Sequence, residues 1–265
     1  MRRIPLSHLM LLAGPIILSC DRQPTQPSDI SAGSSSSSPA ASLSSTGTSA
    51  TTESEITLKF DPHNFVHDVD NRFFPLRPGT RYVYKGIEDG EQEVNVTIVT
   101  HDRKDILGVS AVVVFDRVFV HGELKEKTFD WYAQDKDGNV WYLGENTKEF
   151  ENGQVVSTEG SWKAGRQGAK PGIIMLAHPH VADRYFQEFL PDVAEDQARV
   201  VGRDIDIRVP YGSFHNCLKT VEWTRLEPGV KESKVFCPGV GFVKAHSEEG
   251  PFTSLVLTNI TQVAR

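Results

Sequence analysis

The chain has 265 residues, with 28 Lys and Arg against 35 Asp and Glu, a formal net charge of −7, and three cysteines. An acidic balance with no basic cluster argues against a nucleic-acid partner and against direct electrostatic binding to anionic lipid. With so few cysteines the fold must rest on a core, and most of the chain is long enough to bury one.

In chain order, Arg2 and Arg3 precede an apolar run through Leu9, Leu12, Ile16 and Leu18 that ends at Ser19-Cys20. A spanning helix needs about 20 mostly apolar residues. This run is broken at Gly14-Pro15, so residues 1–19 read as a signal peptide. Ile17-Leu18-Ser19-Cys20 resembles the bacterial lipobox. That resemblance implies cleavage before Cys20 and acylation (palmitate-type chains) of that residue, so that a lipid anchor is the membrane partner. Two or more acyl chains on one residue give durable attachment where one does not. Cleavage would delete two cations and no acid, leaving the mature chain at −9.

Residues 20–55 form the next unit, rich in Ser, Thr, Ala, Pro and Gly, with the run Ser34 to Ser38. Such a segment cannot bury enough surface to offset its ordering entropy. As a flexible chain of roughly 35 residues it would reach about 30–35 Å. It is expected to hold the domain at residues 56–265 off a membrane, in the bacterial cell envelope outside the cytoplasm.

The domain opens on "DPHNFVHDVDN", where one or two helical turns over residues 61–69 would put His63 and His67 on one face beside Asp68. Imidazoles four apart on a helix can present two ring nitrogens to a metal, although no third ligand is fixed. From Thr80 onward strand signals dominate, in "TRYVYKG", "EVNVTIVTH", "SAVVVFDRVFV", "KTFDWYAQ" and "NVWYLGE" and again after residue 196. Asp89-Gly90, Asp137-Gly138, Asn152-Gly153 and Pro228-Gly229 supply turns at short intervals. The pattern predicts an all-β, single antiparallel domain with at most one or two short helices. The hairpins from Thr80 to Trp162 favour a meander, hence a curved sheet or barrel-like form, with a sandwich as the alternative.

"DWYAQDKDGNVWYLGE" could be a calcium loop or a turn. With Gly138 at the sixth position of an EF-type loop, Ala133 and Gly144 fall where ligands belong, so the turn is the better fit. Pairing Gln134 with Asn139 would set Tyr132 against Trp141 and Trp131 against Tyr142. One ring of each pair would line the core, and the other would either cover the outer face or form a ligand platform. In the apolar stretch 172–184, expected as a loop or short helix, His178 and His180 are the second metal candidates. Ser213 and His215 make no triad by spacing alone. In the hairpin around Leu226 to Gly229, residues whose numbers sum to 454 oppose one another, which pairs Cys217 with Cys237 as a candidate disulfide.

"HDVDNRFFPLRPGTRYVYKG", "DWYAQDKDGNVWYLGE", "TEGSWKAGRQGAKPGIIM", "VPYGSFHNCLKTVEWTRLEPGV" and "PGVGFVK" together resemble an uncharacterised family of secreted bacterial proteins and lipoproteins. The resemblance implies export and a common fold, and brings no activity or catalytic residues. The cysteine pair departs from the family pattern. The sequence therefore favours a non-catalytic domain, without a cofactor, that binds an envelope protein or a small apolar ligand. A metal-dependent enzyme using His and Asp ligands, and a structural envelope protein, are the alternatives.

Overall fold

The structure, a computed structural model, describes residues 54–263 apart from residue 89. The signal peptide, Cys20 and the tether up to residue 53 lie outside the described residues. Among the described residues fifteen strands form one sheet. They are β1 (Ser54–Glu55), β2 (Thr80–Glu88), β3 (Glu91–Ile106), β4 (Val109–Val120), β5 (Glu123–Gln134), β6 (Val140–Glu151), β7 (Gln154–Ser157), β8 (Trp162–Lys163), β9 (Gly172–Met175), β10 (Asp183–Phe186), β11 (Gln197–Val209), β12 (Gly212–Trp223), β13 (Lys231–Cys237), β14 (Gly241–Glu249) and β15 (Thr253–Gln262).

Two meanders, β2 to β7 and β10 to β15, are fused where β15 pairs antiparallel with β2, as at Val256 opposite Lys85. This seam demands a close approach: a Cβ at Gly86 would lie 2.0 Å from the Ser254 carbonyl oxygen, which only glycine permits. All the pairings are antiparallel except β1 with β10, where Ser54 and Glu55 already belong to the sheet rather than to the tether. Register shifts in β3–β4, β4–β5, β5–β6 and β11–β12 let these long strands coil. The sheet curls until its ends meet: β9 lies on β6, and Lys170 bridges Phe189 just beyond β10. No continuous ladder joins them, so the barrel stays unclosed.

Within the 172–184 stretch, residues 176–182 form the expected loop, but its ends are strand: Ile173, Ile174 and Met175 belong to β9, which pairs with β6 beside Trp141 and Tyr142, and are buried. The only helical turn among the described residues is a 3-10 turn, Pro62–Asn64. Asp61 caps it through the His63 N–H, and Phe65 is already extended. His63 and His67 therefore do not share a helical face.

The β5–β6 hairpin is a turn with a register one residue away from the expected one. Asp135 opposes Asn139, its N–H donating to the Asn139 carbonyl at 2.9 Å, so Tyr132 faces Tyr142 and Ala133 faces Trp141. The Asp135 carboxylate decides this: it accepts from the Asn139 N–H, the Asn139 side-chain amide and the Trp141 indole N–H. These bonds enforce a three-residue loop with Gly138 at φ +96°. In β12–β13, Leu218 opposes Phe236, and Cys217 and Cys237 sit at the end of that ladder with their Sγ atoms joined at 2.05 Å.

Candidate ligand-binding site

Inward-facing Tyr82 and Tyr84 of β2, with Thr97 and Val99 of β3, form one wall of a small open cleft. Phe74, Pro75 and Leu76 form a second wall, and the β13–β14 turn, Val240 to Phe242, a third. The 73–76 segment is held there by Asn71. Its side-chain oxygen accepts from the Phe73 and Phe74 N–H groups, while its amide donates to the Gly138 and Leu176 carbonyls. The Gly239 N–H donates to Arg72, tying the turn to the segment. Phe74 meets Tyr132 edge-on at 5.2 Å, and Phe242 lies 5.1 Å from Tyr84. Burial pushes the Tyr82 phenol up to about 12, so it stays neutral.

Behind Thr97 the interior turns polar. Across the inner face Tyr82, Thr97, Asp116, Thr128 and Thr147 oppose one another in sequence from β2 to β6. Thr97 donates to Asp116 at 2.6 Å and Asn95 donates to its other oxygen at 2.7 Å. Further in, the Tyr142 hydroxyl lies 2.6 Å from Asp130 and 3.0 Å from Glu145. Glu93, 1% exposed, has neither carboxyl oxygen hydrogen-bonded. On β13, Lys234 reaches Glu222 of β12 at 2.7 Å and Glu232 at 3.6 Å.

So many acids with one cation among them cannot all be charged out of water. Burial first, then neighbouring acids, raises Glu93 to about 9 and Glu126 to about 8. Burial also raises Asp116 to about 6, against the bonds from Thr97 and Asn95. It lifts Asp130, Glu145 and Glu188 well above the ordinary carboxyl range. Burial raises Glu232 to about 7, with Lys234 pulling the other way. Burial works against the Lys234 charge as well, but Glu222 and Glu232 outweigh it and hold the ammonium above its usual value. The interior thus gathers carboxyls that burial holds protonated above the ordinary range, with Thr97, on the cleft wall, bonded to the first of them, Asp116.

No family model matches the chain, and no curated protein does. Among solved structures, a protein from Parabacteroides distasonis ATCC 8503, provisionally described as a lipoprotein, is 13% identical. The alignment covers 72% of this chain and 99% of that one, with a TM-score of 0.40.

The residues singled out in the sequence fall elsewhere. Trp131, Tyr132, Trp141 and Tyr142 are all buried, so none forms an open ligand platform. Tyr132 and Tyr142 stack inside at 4.6 Å, while Phe60 and Phe65 cover Trp141 from outside. Both metal candidates stay unassembled. The His67 imidazole bonds to its neighbour Asp68, His180 lies 3.6 Å from Asp183, and His63 and His178 are exposed. Among the described residues no group of three or more His, Cys, Asp or Glu side chains could hold a metal. His215 turns to Asp206 at 3.0 Å, and Ser213 lies opposite Arg208. Sequence reasoning missed the interior acids, although Glu93-x-Asn95-x-Thr97 and Glu126-x-Thr128-x-Asp130 show a polar residue at every second position.

Proposed function

We propose that the chain is a lipid-anchored, extracytoplasmic β domain that holds a small apolar ligand in the cleft between Tyr82, Val99, Leu76 and Phe242, without catalysing a reaction. The observation that carries this reading is the cleft itself. It is walled mostly by apolar and aromatic side chains, with the Thr97 hydroxyl among the few polar groups in its lining, a composition that suits an apolar ligand. The anchor rests on the signal run ending at Cys20.

Two measurements test the parts separately. Native mass spectrometry of the protein taken from its own envelope should show an apolar adduct that Val240→Trp, which fills the half-exposed mouth of the cleft, abolishes. An adduct of unchanged occupancy in that variant, or no adduct, would remove the ligand reading. In about 0.5 M salt, which screens electrostatic contacts, Cys20→Ser should move the protein from the membrane fraction to the soluble one. Membrane retention of that variant at this salt would remove the anchor.

A further inference from the structure

The strand register collects cations that the sequence scatters. On the outer face of the sheet Arg117 of β4, Lys127 of β5 and Lys148 of β6 stand directly opposite one another. Their neighbours along each strand, Asp116, Thr128 and Thr147, point inward and are buried. Adjacent strands lie roughly 4.8 Å apart, so this is a straight line of three positive charges. Opposed like charges destabilise a sheet. Among the described residues none of the three has an ion-pair partner within 4 Å, although Arg117 is near enough to favour the charge of the buried Asp116 beside it, and the exposed Glu123 at the start of β5 is taken up by Lys125 at 2.8 Å. Toward the seam this row continues as Val96 of β3 and Val83 of β2, while a separate pair of cations, Lys85 and Lys244, flanks Val256 two residues further along β2.

Beside the cations lie aromatic rings. Phe115 and Phe129 stack at 4.7 Å, with Arg117 over Phe115 and Phe119 and Lys127 over Phe115 and Phe129. The rings are half-buried, as are Arg117 and Lys127, which lie along them with the Arg117 Nε buried, while Lys148 is exposed. Much of the formal negative charge, by contrast, sits on carboxyls walled inside. The net charge of −7 therefore misstates what this face presents.

We propose that the outer face of β4 to β6 docks on an anionic phospholipid bilayer, the headgroup phosphates meeting Arg117, Lys127 and Lys148 and the Phe115–Phe129 pair resting at the interface. Charge complementarity selects this occupant. A row of unpaired cations over aromatic rings matches a plane of phosphates above acyl chains. The proposal rests on the extracytoplasmic, membrane-anchored reading above, which places such a surface within reach of the tether. It reverses the expectation, drawn from net charge, that the lipid anchor alone makes the membrane contact.

The test uses the Cys20→Ser chain, which carries no lipid, so that its outcome is independent of anchoring. It should co-float with vesicles of phosphatidylglycerol and phosphatidylcholine but not with phosphatidylcholine alone, and be released at about 0.5 M salt. Each basic residue near an anionic surface is worth about a factor of five, so R117Q/K127Q/K148Q should lower the partition coefficient by roughly a hundredfold. Because opposed like charges are removed, the same variant should melt at the same temperature or roughly 1–3 °C higher, which excludes misfolding as the cause of lost binding. Absence of vesicle binding, or binding unchanged in the triple variant, would overturn the proposal. So would binding to a soluble anionic polysaccharide with none to vesicles, since the face would then read a polymer rather than a bilayer.

Discussion

The folded domain should lose stability steadily as the pH rises from about 5 to about 9, by an amount on the order of 5 kcal/mol. The sign follows from the direction of the shifts. Glu93, Glu126, Glu232 and Asp116 hold their protons in the fold up to about 9, 8, 7 and 6, far above the ordinary carboxyl range. The unfolded chain releases those protons near pH 4 to 4.5. Between the two limits the native state binds more protons, so each step upward in pH favours unfolding, and the stabilisation is complete only below the unfolded values. Acids that face one another titrate as a set, which spreads the loss over the whole window. For a domain of this size the melting temperature should fall by roughly 10–20 °C. Denaturant titrations at a series of pH values would check it, and a flat or rising profile would show that the carboxyls are charged and compensated at neutral pH. Glu93→Gln is the sharpest probe, because this side chain has no hydrogen-bond partner to lose. It should reduce the slope across the whole window by about one proton's worth, most visibly above pH 8, where Glu93 is the last of the four to hold its proton.

That acidic interior is also where sequence reasoning met its limit. Alternation in "EQEVNVTIV" correctly marked β3 as a strand, and the same signal with its turn residues delivered the meander from β2 to β7. Period-2 patterns state that two faces differ without stating which one is inside. Val94, Val96 and Ile98 look like the core and Glu93, Asn95 and Thr97 like the solvent face, yet the polar set points inward. The outer face is apolar, with Val96 buried there, so the hydrophobic contrast along β3 points the wrong way. Register raises a related difficulty. The 226–229 turn predicts the β12–β13 pairing that opposes Leu218 and Phe236, because nothing else competes there. At residues 135–139 a side chain, Asp135, overrides turn chemistry and moves the pairing by one. The cleft was illegible for another reason. Its walls come from segments 74–76, 82–84, 97–99 and 240–242, brought together by the β15–β2 seam, which no local pattern announces.

Replacing Lys234 by Met should be the most damaging single substitution in the interior, costing about 3–5 kcal/mol at neutral pH. The ammonium is buried between β12 and β14 and serves two acids at once, Glu222 at 2.7 Å and Glu232 at 3.6 Å. Met keeps the aliphatic length and removes the charge, so lost packing contributes little. The remaining cost is that of carboxylates left in a poor dielectric without a counter-charge. Those acids can escape it by taking up protons, which predicts a loss small near pH 5 and large near pH 8, and hence a steeper pH profile than in the parent. Adding Glu222→Gln to Lys234→Met removes the stranded charge and should restore a substantial part of the stability. The non-additivity of that cycle measures the coupling directly. If Lys234→Met instead costs less than about 1 kcal/mol, as an exposed ion pair would, then water reaches Lys234, and the view of the interior as a sealed set of protonated carboxyls with a single compensating cation is wrong.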